Sequence, residues 1–371
     1  MARAKEMERQ GVDMIHMEIG DIDFDTAGLI KDAAIKAITE NKTHYVPSQG
    51  ILEFREKIAK HISESRRIPV DASEVVVTPG GKPVIFYTIL ALVNPDDEVI
   101  VPDPGFPAYE AIVSFIGGKA VSWPIDGDNF NVGKLENLIT AKTKLIVVNS
   151  PHNPSGGALA RAELESIAAL AAKNDIFVLS DEVYDELLFE GEFKSIASLP
   201  RMKERTIILN AFTKSYSMSG WRLGYAVCPN KEFAQVISNL INLSISCTTN
   251  FNQWAGIAAL DLPKSEIAKM KEELKTRRDL LAAEISKLPG VSVHIPKGAI
   301  YLFPDIRKTG RTSKEVADFL FDEAHIATLS GTAFGKSGEG YIRLSFGMTS
   351  VPRIKEAIER MKAVWPKLLK S

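Results

Sequence analysis

Thr206-Ile207-Ile208-Leu209-Asn210-Ala211-Phe212-Thr213-Lys214-Ser215-Tyr216-Ser217-Met218-Ser219-Gly220-Trp221-Arg222-Leu223-Gly224-Tyr225 is the stretch on which the fold turns. Its apolar start, 206–209, reads as a buried strand. Lys214 then sits among small and hydroxylated residues, and Arg222 follows eight positions later beside Gly220-Trp221. A surface lysine normally has charged neighbours in the chain, and Lys214 has none within several residues. A lysine in such a setting is suited to act as a nucleophile or base. A structural lysine fits this stretch equally well, so the surrounding chain must decide.

Working outward, short apolar runs alternate with amphipathic segments. Residues 74–78, 98–101, 119–123, 144–148, 176–179, 206–209 and 223–227 read as strands, and 82–93 and 107–117 as helices. The runs are continuous and rich in β-branched residues, as in strands covered on both faces. Strands separated by helices imply βαβ units and a mostly parallel sheet. The fold class is therefore α/β: a large domain with a mostly parallel central sheet flanked by helices, plus a smaller α+β domain. Residues 25–262 are assigned to the large domain, and 1–24 with 263–371 to the small one. In the latter, 264–288, 313–324 and 351–370 read as helices, and 291–294, 299–303 and 341–346 as strands.

Ligands of such sheets bind beyond the carboxyl ends of the strands. Five loops leave that end, at 78–82, 102–106, 149–154, 180–182 and 211–214, and should converge on one site. Asp181 follows four apolar residues, so it should be partly buried and needs a cationic or hydrogen-bonding partner. Arg343 lies mid-strand, suited to bidentate capture of a carboxylate or to a structural ion pair. Gly80-Gly81-Lys82 opens a helix whose free amides favour a phosphate. Asn153-Pro154-Ser155-Gly156-Gly157, taken alone, is turn chemistry. Together, a strand-end lysine, a strand-end aspartate, an arginine and a phosphate-binding turn are what pyridoxal 5'-phosphate requires.

Composition narrows the alternatives. The 371 residues carry 45 basic and 47 acidic side chains without a basic run, so neither nucleic acid nor a membrane surface is an expected partner. Residues 233–260 contain no Asp, Glu, Lys or Arg, but many polar residues interrupt them. They fit an interior or a subunit contact better than a membrane span. No signal peptide is visible, and the cytoplasm is the expected compartment. Cys228 and Cys247 are expected to be buried free thiols, and no metal motif is present among the six histidines.

At this point the chain resembles the fold-type I pyridoxal-phosphate aminotransferases of class I/II, from Ile19-Gly20 to Arg343. The stretch 213–225 looks like that family's lysine signature, and the ordered spacings agree: 28 from Asn153 to Asp181, 3 from Asp181 to Tyr184, 8 from Lys214 to Arg222. The resemblance implies that Lys214 is the Schiff-base lysine and the proton-transfer base. It implies that Asp181 pairs with the pyridinium nitrogen, and that Tyr184 and Asn153 hydrogen-bond the ring's 3′ oxygen. Phe106 would stack on the ring, and Gly81, Lys82 and Arg222 would hold the phosphate. Arg343, aided by Asn153 and the backbone at Gly20, would take the substrate carboxylate. Tyr45 would reach the phosphate of a neighbouring subunit, which makes a homodimer with shared sites the expected assembly.

The implied activity is transfer of an amino group between an L-amino acid and a 2-oxo acid. A lyase of the same fold acting on β-substituted amino acids is the alternative. The sensor domain of a transcription regulator would use the same pocket but needs a DNA-binding domain, for which there is no room before Ile15. Three positions depart from the family. Ala211 stands where a phosphate-binding serine is common, and Phe106 where aspartate-specific members have tryptophan. The chain starts at Met1-Ala2-Arg3 without the usual N-terminal arm, so the expectation is a more open site or a shortened start. Lys82 could meet an acidic substrate side chain, as a similarly placed lysine does in some aspartate-using relatives; neutral or aromatic donors fit equally well.

Overall fold

The computed structural model describes residues 2–370. Seven strands form the main sheet: β1 (Val75–Thr78), β2 (Glu98–Asp103), β3 (Lys119–Pro124), β4 (Thr143–Asn149), β5 (Phe177–Asp181), β6 (Thr206–Ala211) and β7 (Gly224–Val227). Their order is β1-β7-β6-β5-β4-β2-β3. Only β7 runs antiparallel to its neighbours, β1 and β6. The remaining neighbouring pairs are parallel.

The continuous apolar runs have a direct cause in this architecture. Along β4, Leu145 and Val147 enter one core while Ile146 and Val148 enter the other. Val76 of β1 likewise faces the first core, and Val75 and Val77 the opposite side. Successive side chains point to opposite faces, so both sets must be apolar when helices cover both. Helices Gly81–Leu92, Ala108–Phe115 and Lys231–Ile245 supply the first cover. Helices Leu52–Arg66, Asn250–Leu260 and Arg161–Lys173 supply the second. Each fully buried Val, Leu or Ile contributes roughly 1.5–3 kcal/mol relative to exposure. Edge strand β3 is the exception, with Lys119 and Ser122 exposed.

A second core gathers helices Lys264–Ile285, Ser313–Ala324 and Val351–Lys370. The N-terminal segment joins it: Ile15–His16 pairs in parallel with Ile326–Ala327. A three-stranded antiparallel sheet, Leu329–Ser330, Ile342–Ser345 and Tyr301–Leu302, completes this part. Tyr184, Leu187 and Phe189, which follow β5, pack into the same core and tie it to the main sheet.

Two expectations need correction. Residues 291–294 do not form a strand: only Ser292 makes an isolated bridge, to Asp305. Pro296, which lacks an N–H, follows closely, and His294 is exposed. Cys228 is buried, but Cys247 is only half-buried, because it lies just beyond the end of helix Lys231–Ile245. The uncharged segment 233–260 lies in two helices, Lys231–Ile245 and Asn250–Leu260. On the first of these, Leu243 is 84% exposed. Among the described residues no helix is long and apolar enough to cross a membrane.

Candidate active site

The carboxyl ends of β2, β4, β5 and β6 lie along one edge of the sheet. Antiparallel β7 begins at that edge, because Gly224 pairs with Ala211. This register brings Arg222 beside the lysine loop. A cavity of about 610 Å³ opens there, and residues of all five strand-end loops line it. Gly20, Gly81, Lys82, Phe106, Asn153, Asp181, Tyr184, Lys214, Arg222 and Arg343 all face it. Tyr45 does not; it is 86% exposed and lies elsewhere on the surface.

Asp181 ends β5 and is buried. The Tyr109 hydroxyl donates to its Oδ2 at 2.6 Å, and the Val183 amide to its Oδ1 at 3.3 Å. Burial raises its pKa to about 6, against the lowering effect of these two bonds. Asp181 takes part in no ion pair among the described residues. Its sequence neighbours are treated differently. Arg66 donates to Glu182 Oε2 at 2.8 Å and to Asp185 Oδ2, and Asn210 donates to Asp185 at 3.0 Å. Arg66 thus compensates Glu182 and Asp185, and leaves Asp181 as a buried carboxylate aimed at an open cavity.

Arg343 shows the opposite imbalance. It is buried in strand Ile342–Ser345, with Nη1 donating to Asn153 Oδ1 at 3.1 Å and Nη2 to the Glu18 carbonyl at 2.6 Å. Its Nε has no partner among the described residues. Its Cζ lies 4.3 Å from the Tyr301 ring centroid and 4.7 Å from that of Phe334. Neutral oxygens and π-faces orient the guanidinium without neutralising it. A buried arginine so placed is suited to a carboxylate ligand.

Lys214 is buried, its Nζ donating to the Gly20 carbonyl and lying 3.7 Å from Asp21 Oδ1. The nearest charge in space thus comes from a segment nearly two hundred residues away. Gly20 must be a glycine for the site to close, since a Cβ there would strike the Tyr301 hydroxyl. Tyr301 is in turn hydrogen-bonded to Tyr184 at 2.7 Å. Burial raises the Tyr184 phenol well above its ordinary pKa, so it stays protonated and able to donate.

At the other end of the cavity, Gly81 starts helix Gly81–Leu92 with its first amides free of helical partners. Gly80 has φ 93° and ψ 178°, and a Cβ there would overlap the Arg222 guanidinium. Arg222 donates to the carbonyls of Ser219 at 2.8 Å and Pro79 at 3.4 Å and enters no ion pair among the described residues. A helix start with an uncompensated arginine against it is a site for an anion such as phosphate. Lys82 Nζ lies 5.6 Å from the Phe106 ring centroid.

Tyr109, Tyr301 and Asn149 also shape the site and escaped the sequence reading. Tyr109 had a local signal: it stands three residues after Phe106, and the two rings pack edge to face at 5.7 Å. Asn149 accepts from the Asn153 amide at 2.9 Å and so fixes that turn. Tyr301 had no local signal, because its role depends on long-range contacts with Gly20, Tyr184 and Arg343.

The pattern of aminotransferase class I and II matches residues 12–361. The chain belongs to this family. It is 40% identical to the probable aspartate/prephenate aminotransferase of Aquifex aeolicus, over 97% of this chain and 93% of that protein. It is 38% identical to the arginine–pyruvate transaminase of Pseudomonas aeruginosa, over 99% and 94%. The crystal structure of an aromatic aminotransferase from Pyrococcus horikoshii superposes with a TM-score of 0.93 at 36% identity, covering 99% of this chain and all of that one. Class I and II aminotransferases depend on pyridoxal phosphate, and this member is a transaminase of amino acids and 2-oxo acids. Its relatives' names span acidic, basic and aromatic donors, so family membership leaves the donor open.

Proposed function

We propose that this aminotransferase holds pyridoxal 5'-phosphate in the cavity and exchanges amino groups there between an L-amino acid and a 2-oxo acid. The observation that carries the reading is the separation of uncompensated charge: buried Asp181 without a cation, buried Arg343 without an anion, and Arg222 at an open helix start. A cationic ring nitrogen, a substrate carboxylate and a phosphate would compensate these in turn. The donor set therefore fits the cofactor. When bound, pyridoxal phosphate supplies an aldehyde that condenses with amines and a ring that accepts the electron pair freed at Cα.

The chain's own residues do the rest. Arg343, held by Asn153 and Glu18, binds the amino acid's carboxylate and fixes its orientation. Lys214 would hold the cofactor covalently through its Nζ, with loss of water, and once the substrate's amine had displaced it, the freed Nζ would carry the Cα proton. Asp181, oriented by Tyr109, keeps the ring nitrogen protonated. Tyr184, oriented by Tyr301, donates to the ring oxygen together with Asn153. Phe106 covers the ring, and Gly81, Lys82 and Arg222 hold the phosphate.

The test is the two-step cycle. Purified protein should be yellow, an amino acid should bleach the band, and a 2-oxo acid should restore it. Release of pyruvate or ammonia without that cycle would replace the reading with the lyase.

Lys82 bears on the donor. Its charge has no ion-pair partner among the described residues, and it faces the cavity. Lys82→Ala is expected to lower kcat/KM for an acidic amino acid by about tenfold more than for a neutral one, the scale of one charge-assisted hydrogen bond. Equal losses for both would assign Lys82 to the phosphate alone.

Tyr45 supports a shared site. An exposed tyrosine remote from its own cavity is free to serve a second copy, and the exposed Leu243 and Val236 lie on the uncharged part of helix Lys231–Ile245, from 233 onward. Sedimentation should give twice the chain's 40.7 kDa. A fully active monomer would rule the arrangement out.

A further inference from the structure

A second polar cavity, of about 200 Å³, lies beside the Arg66 network. Arg66, Arg67, Arg161 and Lys194 line it, against one carboxylate, Glu192, with Ser65, Ser195 and Ser198 also on its wall. These cations differ in what they already hold. Arg66 is buried, its Nε and Nη2 given to Glu182 and Asp185 and its plane over the Phe193 ring at 4.7 Å. Its Nη1 makes no hydrogen bond among the described residues.

Arg67 caps helix Leu52–Arg66 with φ 56°. It has no ion pair or hydrogen bond among the described residues. Arg161 pairs with Glu165 at 2.8 Å and Lys194 with Glu192, but both pairs are exposed. Exposed pairs of this kind contribute about 1 kcal/mol or less, so both cations can be redirected at small cost. The carbonyls at the end of helix Leu52–Arg66 oppose an anion weakly. Arg67, Arg161 and Lys194 outweigh them and Glu192, while Arg66, already balanced by Glu182 and Asp185, adds a free donor rather than net charge.

We infer that this cavity binds a phosphate-type oxyanion, held by Arg67, Arg161 and Lys194 with Arg66 as its floor. Planar guanidinium groups match the oxygen geometry of phosphate bidentately, and the volume admits a single such group rather than a nucleotide. Free phosphate and a small phosphate monoester share this chemistry. The location gives the site a consequence: the floor residue also holds Glu182, next in the chain to Asp181, and Asp185, next to Tyr184. An anion drawing on Arg66 would be felt at the end of β5. The inference stands apart from the transaminase reading, because it concerns a different cavity and is read by binding.

The experiment is a phosphorus NMR and calorimetric titration of the holoenzyme in phosphate-free buffer, with inorganic phosphate in one arm and glycerol phosphate in the other. The holoenzyme is used so that the cofactor's own phosphate subsite is filled. Saturable binding of one equivalent per chain is expected in at least one arm, and the arm that saturates identifies the source. The R67S/R161S variant should bind about tenfold more weakly or worse, the loss expected from removing charged hydrogen bonds. Its transamination rate in phosphate-free buffer should match the wild type. Non-saturable response in both arms overturns the proposal, and so does equal affinity in the folded variant. Should that variant fail to fold, Lys194→Gln takes its place under the same criterion.

Discussion

Lys214→Ala is expected to lower kcat/KM for transamination by at least about 10⁴-fold, the upper range for loss of a positioned proton-transfer group. The magnitude follows from the lack of a substitute. Lys214 is the buried amine of the cavity, fixed by the Gly20 carbonyl. The cavity's other lysine, Lys82, is exposed and stands over Phe106 near the helix start. It cannot serve both ends of the site. The fold should survive, since the side chain gives up one hydrogen bond to a carbonyl and a long contact with Asp21. Far-ultraviolet circular dichroism should therefore be unchanged while the yellow band shifts or disappears. Added small amines should restore a fraction of the rate, because they replace the missing base. A variant within tenfold of wild-type activity would end the assignment.

Asp181→Asn is expected to have opposite effects on activity and on the stability of the cofactor-free protein. Losing a preorganised charge at the reacting group should cost about 10²–10³ in kcat. For stability, burial raises the folded pKa from 3.8 to about 6, so between these values the folded chain binds more protons than the unfolded one. Below pH 4 the carboxyl is neutral in both states and burial carries no charge penalty. As pH rises through 6 the folded state must hold an ionised carboxylate, and stability is lost, by roughly 3 kcal/mol for a shift of this size. The amide has no such penalty. Urea denaturation of the cofactor-free proteins should show wild-type stability falling between pH 4 and 6 relative to the variant. Cofactor should reverse the order above pH 6 by supplying the cation. Parallel stability profiles across that range would show that Asp181 carries no charge penalty from burial.

Much of this site was legible because its residues stand at strand ends. A continuous apolar run locates the sheet edge, and the polar residues that follow it are displayed there, as at Ser180-Asp181 and in the lysine loop after β6. The convergence of five loops followed from the parallel sheet alone. What the chain could not disclose depends on contacts between distant segments. Arg66 relieves Glu182 and Asp185 but not Asp181, although the three carboxylates lie within five positions. Nothing local distinguishes them. Tyr301 is the same case, since its position is set by Gly20 and Tyr184. The misread strand at 291–294 shows the converse: alternation alone is insufficient where the segment finds only a single bridge, from Ser292 to Asp305.

Gly80 illustrates how such a site constrains its own descent. Its backbone occupies a region that is nearly closed to every residue with a side chain, and its missing Cβ is the space used by Arg222. The two requirements are independent. A change that moved Arg222 aside would leave the backbone strained, and a change that relaxed the backbone would leave the guanidinium displaced. No single compensating mutation restores both, so a lineage that keeps an anion at this helix start has no gradual route away from glycine.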